Sequence, residues 1–384
     1  MRIASTVKKP IVSVSAYIDA KATHIESLKL NAVDRLEKAR DNSDGAMDVV
    51  LDGQRHSRAK DAALFAGLGL APAALASWAG WGLHGATGAL VGGAIGLAAF
   101  TAPAGYFLGR SLKAPQWKAE TRRHLGHSTE PSPGEAGPQR LRSLVDQAKE
   151  INPQARQLLF LSGHGDRTTL ASMDLSEMST ALENSKLDIT ILDACLQGQL
   201  EVLTRLSPWA GLVLASPHKI KARGLELEEL LNPQILAQDS PLETACQMAR
   251  EAKSTTPSFA VVDTTQFKER LLPSLDSLGG KLADSWSDSS VSAGVKSALA
   301  AAVGTDGLFS RRVDLGSFLK ELERRKILPE QTSLALDSFK STVPFQKNEH
   351  SVSFHLKAGR DDATLPKGWR DFLKALDLSF KPLF

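Results

Sequence analysis

The chain has 384 residues, of which 42% are hydrophobic, 23% charged and 6% aromatic, and it is long enough to bury a core and fold alone. Two cysteines are too few for a disulfide framework, and the composition excludes a collagen, a coiled coil and a disordered chain. The net charge of +3 is too small to indicate a nucleic acid as partner.

The first predicted elements form a strand–helix–strand unit. Residues 11–18 (IVSVSAYI) alternate between β-branched and small or polar side chains, which predicts a strand. Thr23 and Glu26 match a capping box, so a helix with an apolar face is expected to follow and to extend through Leu36. Residues 47–53 (MDVVLDG) predict the second strand, which ends in a turn.

A long segment without any charged side chain interrupts this unit, from residue 62 to residue 109. It contains two apolar runs, 62–81 and 86–109, and each has the roughly 20 residues that a helix needs to span a bilayer. We predict an inserted hairpin of two transmembrane helices that contacts membrane lipid. The alternative is an Ala- and Gly-rich helical hairpin buried in a soluble core.

Basic residues flank the predicted hairpin on both sides. Arg55 and Arg58 precede it, and Arg110 and Lys113 follow it, so both outer ends are expected on the cytoplasmic side. Residues 1–9 are basic but lack the apolar core of a signal peptide. The sequence therefore predicts a protein of the bacterial inner membrane with its folded part in the cytoplasm, and a secreted effector is the alternative.

The rest of the chain alternates apolar runs with amphipathic helical segments. A helix is predicted over 138–150, two more around 318–322 and 369–376, and a strand over 351–356. Four runs rich in Val, Ile and Leu predict buried strands, at 158–165, 189–198, 210–217 and 258–263. This alternation predicts an α/β fold with a parallel sheet that helices cover on both faces.

His164 and Cys195 follow two of these strands directly. Adjacent parallel strands lie about 4.8 Å apart, and reacting groups collect at their carboxyl ends. A cysteine nucleophile needs a base and N–H donors for the oxyanion, and His164 with the N–H groups of Gly165 and Cys195 supplies them. The predicted strand-to-helix turn at Cys195 places a positive helix end beside the thiolate. The alternative is a structural histidine and an inert buried cysteine.

The residues around this pair match a known family. Ser-Gly-His-Gly at 162–165, and Leu-Asp-Ala-Cys-Leu-Gln-Gly at 192–198 followed by Glu201, resemble the clostripain family of cysteine peptidases, which implies the caspase-like fold of the caspase–gingipain–legumain group. Weaker matches to the family follow in the same order along the chain, at 8–20, 47–52, 214–216, 258–263, 313–316 and 368–373.

The resemblance implies that Cys195 attacks the scissile carbonyl and His164 protonates the leaving amine, with Gly165 and Cys195 forming the oxyanion hole. It also implies that Asp193 and Ser216 bind substrate, with Asp193 favouring a basic P1 residue. The alternative for Asp193 is a cap on the following helix. The chain departs from the family after Ser216, where Pro217, His218, Lys219 and Lys221 stand in place of acidic residues, so a neutral or acidic P1 is an open alternative.

Self-cleavage between the histidine and the cysteine occurs in the family, and Arg167 and Lys186 are the basic candidates for it here. The sequence predicts no cofactor and no metal site. Calcium binding is suggested by the family resemblance alone, since the sequence contains no oxygen-rich loop with recognisable ligand spacing. The expected partner is a protein or peptide substrate. Cys246, in a helical segment, is predicted to be core.

The predicted organisation is listed by residue: strand–helix–strand 1–61, inserted hairpin 62–112, linker and helix 113–157, catalytic part 158–285 and C-terminal accessory region 286–384. The predicted function is a cysteine endopeptidase that a hairpin tethers to a membrane. Two alternatives stay open: a membrane-active or pore-forming effector, and a catalytically silent caspase-like scaffold that binds a peptide.

Overall fold

The structure is a computed structural model that describes residues 12–19, 36, 38–39, 47–54, 123–124, 127–128, 137–220, 224–225, 227–252, 258–302, 312–347, 351–357 and 362–380. The chain divides into two compact units, one formed by Met1–Gln54 with Glu120–Phe384 and the other by Arg55–Ala119. The second unit, and with it the predicted hairpin at 62–109, lies outside the described residues. Within the described ranges no helix is long and apolar enough to cross a membrane.

The strands with described bounds are β1 (Val12–Asp19), β2 (Met47–Gln54), β3 (Arg123–His124), β4 (His127–Ser128), β5 (Arg156–Ser162), β6 (Thr169–Leu170), β7 (Met173–Asp174), β8 (Leu187–Asp193), β9 (Ala210–Ala215), β10 (Phe259–Asp263), β11 (Arg312–Asp314), β12 (Phe345–Lys347) and β13 (Ser353–His355). The predicted strands after residues 11, 47, 158, 189, 210 and 258 are all present. The two-residue strands β3 and β4 were not predicted.

The helices with described bounds are α1 (Gly137–Ile151), α2 (Leu175–Leu182), α3 (Leu200–Leu206), α4 (Leu227–Leu230), α5 (Pro233–Leu236), α6 (Pro241–Glu251), α7 (Thr264–Gln266), α8 (Leu272–Asp284), α9 (Ser289–Ala301), α10 (Leu315–Arg324), α11 (Pro329–Thr342) and α12 (Lys367–Phe380), and a π-helical turn at Phe267–Leu271 joins α7 to α8. The helices predicted near 138–150, 318–322 and 369–376 are confirmed as α1, α10 and α12.

The main sheet is mixed, with a parallel centre. Its strand order is β12-β10-β9-β8-β5-β1-β2-β3-β4, and the five strands from β9 to β2 are parallel. The strands on either side, β10 with β12 and β3 with β4, pair antiparallel. The predicted parallel sheet is therefore correct for the centre and wrong for the edges.

The direction of β10 corrects the prediction for residues 258–263. After β9 the chain first returns to the amino edge of the sheet, where Arg156 donates to Leu236 O at 3.4 Å and to Thr244 Oγ1 at 2.6 Å. Helix α6 then runs back toward the carboxyl edge, and Ala260 of β10 pairs with Ala215 at the end of β9. Because β10 enters the sheet from the carboxyl edge, it must run antiparallel to β9.

Alternate side chains of the central strands enter two separate cores, as expected for a sheet with both faces covered. On β5, Leu159 and Leu161 contribute to one buried cluster, and Leu158 and Phe160 contribute to the other. The prediction of helices on both faces is confirmed by the helical residues of each cluster. The first cluster includes buried side chains from α1, α2, α3, α8, α10 and α12. The second includes buried side chains from α4, α5 and α6.

The C-terminal helices pack onto the first face around a cluster of aromatic rings. Phe318 and Phe354 lie with ring centroids 5.6 Å apart, and Trp369 lies 5.2 Å from Phe354 and 5.3 Å from Phe372. Strand β13 leaves this cluster and reaches the catalytic part of the chain, because Ser353 N donates to Gly198 O at 2.8 Å. The C-terminal region thus contacts the turn that follows Cys195.

Candidate active site

The register of β5 and β8 brings the two predicted catalytic residues to one edge of the sheet. Ser162 pairs with Asp193, and Gly163 N donates to Asp193 O at 3.3 Å. His164 and Cys195 each stand two residues beyond that pair, so they share the carboxyl edge on adjacent strands. This edge is where an α/β sheet presents its reacting groups.

The histidine lies on a turn that its own polar groups stabilise. His164 is exposed, and its carbonyl oxygen accepts a hydrogen bond from Ala171 N at 2.8 Å. Asp166 closes the turn by accepting from Thr168 N and Thr169 N, both at 2.7 Å. Partial burial opposes ionisation of Asp166, but these hydrogen bonds outweigh it and hold the pKa of this carboxyl below its usual value. We call residues 163–170 the histidine turn.

The cysteine lies on a second turn, residues 194–198, which we call the cysteine turn. Leu196 has a left-handed φ of 64°, and backbone hydrogen bonds from Leu196 N to His218 O at 3.0 Å and from Gly198 N to Ser216 O at 2.8 Å anchor the turn. The half-buried Cys195 thiol donates to Ile220 O at 3.6 Å. Cys195, its turn and the segment after β9 thus pack side by side.

The predicted helix end beside Cys195 is wrong. Helix α3 begins at Leu200 with Gln199 as its N-cap, because the left-handed Leu196 turns the chain away before the helix begins. Cys195 is therefore outside the first turn of the helix, where the helix dipole acts. The alternative role of Asp193 as a cap for this helix is wrong for the same reason.

The two residues predicted to supply the oxyanion donors, Gly165 and Cys195, lie next to one another. A Cβ added at Gly165 would lie 2.7 Å from Cys195 O and 3.0 Å from Ala194 Cβ, so the site has room for a glycine only. Gly165 therefore packs directly against the backbone of the cysteine turn. Among the described residues, neither Gly165 N–H nor Cys195 N–H has a hydrogen-bond acceptor.

The residues predicted to bind substrate are largely turned inward. Asp193 is 9% exposed, and its carboxylate accepts from Ser162 Oγ at 2.9 Å and from Leu225 N at 3.1 Å. Gly224 adopts a φ of 69°, and a Cβ there would lie 2.6 Å from the Asp193 carboxylate. Ser216 is fully buried, and its Oγ accepts from His218 N at 3.1 Å.

The two predicted self-cleavage positions lie at opposite edges of the sheet. Arg167 belongs to the histidine turn. Lys186 is exposed, with a φ of 46°, directly before β8. The seven-residue strand β8 separates Lys186 from Cys195 by roughly 20 Å or more, so the two residues do not meet in this fold. Self-cleavage at either position stays a prediction.

Sequence reasoning missed the role of Gln197. This side chain is fully buried and donates from Nε2 to Cys195 O at 2.9 Å and to Asp166 O at 3.0 Å. The signal in the sequence was a polar residue inside an otherwise apolar turn, but its partner Asp166 is distant along the chain.

In the sequence, Glu201 stands out only as part of the family motif. In the structure its carboxyl group is unusual because it is buried. It is fully buried, Oε1 accepts from His355 N at 3.2 Å, and Oε2 is buried without a partner among the described residues. Burial raises the pKa of Glu201 to about 7, and the nearby Asp362 adds to this effect. Arg205 and Asp362 form a salt bridge of 2.9 Å beside it.

The remaining predictions concern metals and the second cysteine. In the described ranges no group of three or more His, Cys, Asp or Glu residues could hold a metal ion. Cys246 lies in α6 at 8% exposure within the second core cluster, so its predicted core position is confirmed. Burial raises the pKa of the Cys246 thiol, which disfavours its reactive thiolate form.

Comparison with known proteins links this site to one family. A family model described as the clostripain family matches residues 149–348. An X-ray structure of a secreted C11 cysteine protease from Bacteroides thetaiotaomicron has a TM-score of 0.57 at 11% identity, with 95% of this chain and 99% of that chain covered. An inactive zymogen C11 protease from Parabacteroides distasonis has a TM-score of 0.56 at 12% identity, with 97% and 96% covered. No curated protein matches the chain.

Proposed function

Since the chain belongs to the clostripain family of cysteine peptidases, we propose that it cleaves peptide bonds with Cys195 as nucleophile and His164 as general base and acid. The observation that carries this assignment is the register of β5 and β8, which sets His164 and Cys195 at equal offsets beyond the Ser162–Asp193 pair. Gly165 N–H and Cys195 N–H are proposed as the oxyanion donors, and this role is supported by the finding that neither has an acceptor in the part of the chain that the structure describes.

The proposed reaction proceeds in two halves. The Cys195 thiol turns from Ile220 O toward His164 and gives its proton to the imidazole, and the thiolate attacks the scissile carbonyl carbon. The oxyanion of the tetrahedral intermediate accepts hydrogen bonds from Gly165 N–H and Cys195 N–H. His164 then protonates the leaving amine, which leaves a thioester on Cys195. His164 next takes a proton from water, and the resulting hydroxide attacks the thioester carbonyl. The carbon–sulfur bond breaks to release the carboxylic acid, and His164 returns its proton to the Cys195 thiolate.

For the substrate pocket we propose Asp193 and Ser216 as its floor. The largely buried Asp193 carboxylate already accepts hydrogen bonds from Ser162 and Leu225, so fewer of its acceptor positions are open to a basic P1 side chain. The chain after Ser216 carries His218, Lys219 and Lys221, and the Lys219 side chain is exposed. We therefore propose a preference for a neutral or acidic P1 residue.

A panel of fluorogenic peptides that differ only at P1 measures this preference. Peptides with Glu or Gln at P1 are expected to be cleaved at least about tenfold faster than those with Arg or Lys, because like charges at a contact disfavour binding. Lys219→Glu is expected to reduce the ratio of the cleavage rate with Glu or Gln at P1 to the rate with Arg or Lys at P1. A wild-type preference for Arg that Lys219→Glu leaves unchanged contradicts the proposal and assigns P1 selection to Asp193.

We further propose that residues 62–109 tether the peptidase to a membrane. Support comes from the absence of charged side chains along two runs, each of spanning length. Carbonate extraction of membranes is expected to leave the full chain in the pellet, and a variant lacking 62–109 is the control that should become soluble. Release of the full chain into the supernatant contradicts the tether and favours a secreted location, as described for the Bacteroides relative.

A further inference from the structure

We propose that Gln197 is a positioning residue that holds the histidine turn and the cysteine turn at the separation that the reaction needs. This inference rests on the proposed roles of His164 and Cys195. Gln197 would touch neither the substrate nor the reacting atoms, and would act by fixing where His164, Gly165 and Cys195 stand relative to one another.

The amide group of Gln197 bonds to both turns. Its Nε2 donates to Cys195 O at 2.9 Å, within the cysteine turn, and to Asp166 O at 3.0 Å, two residues beyond His164. The amide orientation follows from chemistry, because a reversed amide would point an oxygen at two carbonyl oxygens. The side chain is fully buried, so water does not compete for these two bonds.

Other hydrogen bonds hold the cysteine turn on its opposite side. Leu196 N and Gly198 N bind the segment after β9, at His218 O and Ser216 O. On the side of β5, the described hydrogen bonds to the histidine turn include Gly163 N to Asp193 O and, further along the turn, Gln197 Nε2 to Asp166 O. This amide therefore contributes a side-chain link between the two turns beyond the strand ends.

Gly165, a residue of the proposed oxyanion hole, packs against the Gln197 side chain, so its position depends on that of Gln197. A Cβ at Gly165 would collide with Gln197 Nε2 and Cys195 O, so the glycine backbone lies directly against the amide. A shift of Gln197 therefore moves Gly165 N–H relative to Cys195 N–H. Misplacement of catalytic groups by about 1 Å costs roughly 100-fold in rate.

The test compares Gln197→Met with Gln199→Met. Methionine has a similar length and removes the amide. Gln199 is a matched control, since it is also buried and its Nε2 donates to Leu196 O at 2.7 Å, inside the cysteine turn. Gln197→Met is expected to lower kcat about 10- to 100-fold with KM nearly unchanged, whereas Gln199→Met keeps kcat within about twofold of the wild type.

A second readout is the pH dependence of Cys195 alkylation by iodoacetamide, for which His164→Ala supplies the profile of an uncoupled thiol. Gln197→Met is expected to shift toward that profile, and Gln199→Met to follow the wild type. If Gln197→Met does not fold, Gln197→Asn replaces it in the test. Its amide is too short to reach both carbonyl oxygens, so kcat is expected to fall by a smaller factor than in Gln197→Met.

Equal kcat and equal alkylation profiles for the Gln197 and Gln199 variants, in an active wild type that depends on Cys195, overturn the role of Gln197 alone. A wild type without turnover and without reactive Cys195 overturns the proposed catalytic pair instead. Thermal unfolding of each variant separates a loss of stability from a loss of positioning, because only the latter lowers kcat in a fully folded sample.

Discussion

Cys195→Ala is expected to lower kcat/KM for peptide cleavage by at least about 10⁴-fold, the scale seen when a covalent nucleophile is removed. The reason is that the thioester on Cys195 divides amide cleavage into two easier steps, and alanine offers no nucleophile. Initial rates with the best fluorogenic peptide of the P1 panel measure the loss.

Cys246→Ala is the matched control, because these are the two cysteines of the chain and Cys246 is a core residue of α6. This variant should retain wild-type turnover. Peptide cleavage that survives in Cys195→Ala contradicts the assignment of the nucleophile. If the wild type cleaves nothing, the catalytically silent scaffold is the better account, and liposome leakage that persists in Cys195→Ala would favour the membrane-active effector.

The free energy of unfolding is expected to fall by about 2.5 kcal/mol between pH 5 and pH 8 through Glu201 alone, since one pKa unit corresponds to about 1.4 kcal/mol. Burial raises the pKa of Glu201 from 4.5 to about 7 in the folded chain. Between these two values the unfolded chain has lost the proton and the folded chain keeps it. The folded state therefore binds more protons, and its stability decreases as the pH rises.

Glu201→Gln removes this titration and retains the acceptor for His355 N. The free energy of unfolding, measured with urea at pH 5, 6, 7 and 8, should depend less on pH in Glu201→Gln than in the wild type. Glu323 is exposed, so Glu323→Gln should show the pH dependence of the wild type. Burial opposes ionisation of the neighbouring Asp362, but hydrogen bonds from Thr364 and Arg205 hold its pKa below the usual value, so Asp362 titrates below this window. Parallel pH curves for wild type and Glu201→Gln contradict the raised pKa.

Local sequence pattern predicted the parts of the site that depend on single strands. The apolar runs before His164 and Cys195 predicted two buried strands, and the order of residues placed both side chains just past the carboxyl ends. That inference needs the pattern of each strand and the parallel geometry of neighbours, and nothing more.

Three features of the structure depend on contacts between residues that are distant along the chain or on an unusual backbone conformation. The periodicity of the sequence carries no information about either. The direction of β10 follows from the return of the chain to the amino edge at Leu236 and at Thr244, near the start of α6. The burial of Glu201 follows from the docking of β13 through His355. The late start of α3 depends on the left-handed φ of Leu196, a conformation that leucine rarely adopts.

The most direct test of the Cys195–His164 account is mass-spectrometric mapping of the residue that a peptide acyloxymethyl ketone labels in the full chain. The account predicts one covalent adduct, on Cys195, formed at least about 100-fold more slowly in His164→Ala because the base is missing. Labelling of Cys246, no labelling at all, or a rate that His164→Ala leaves unchanged would contradict it.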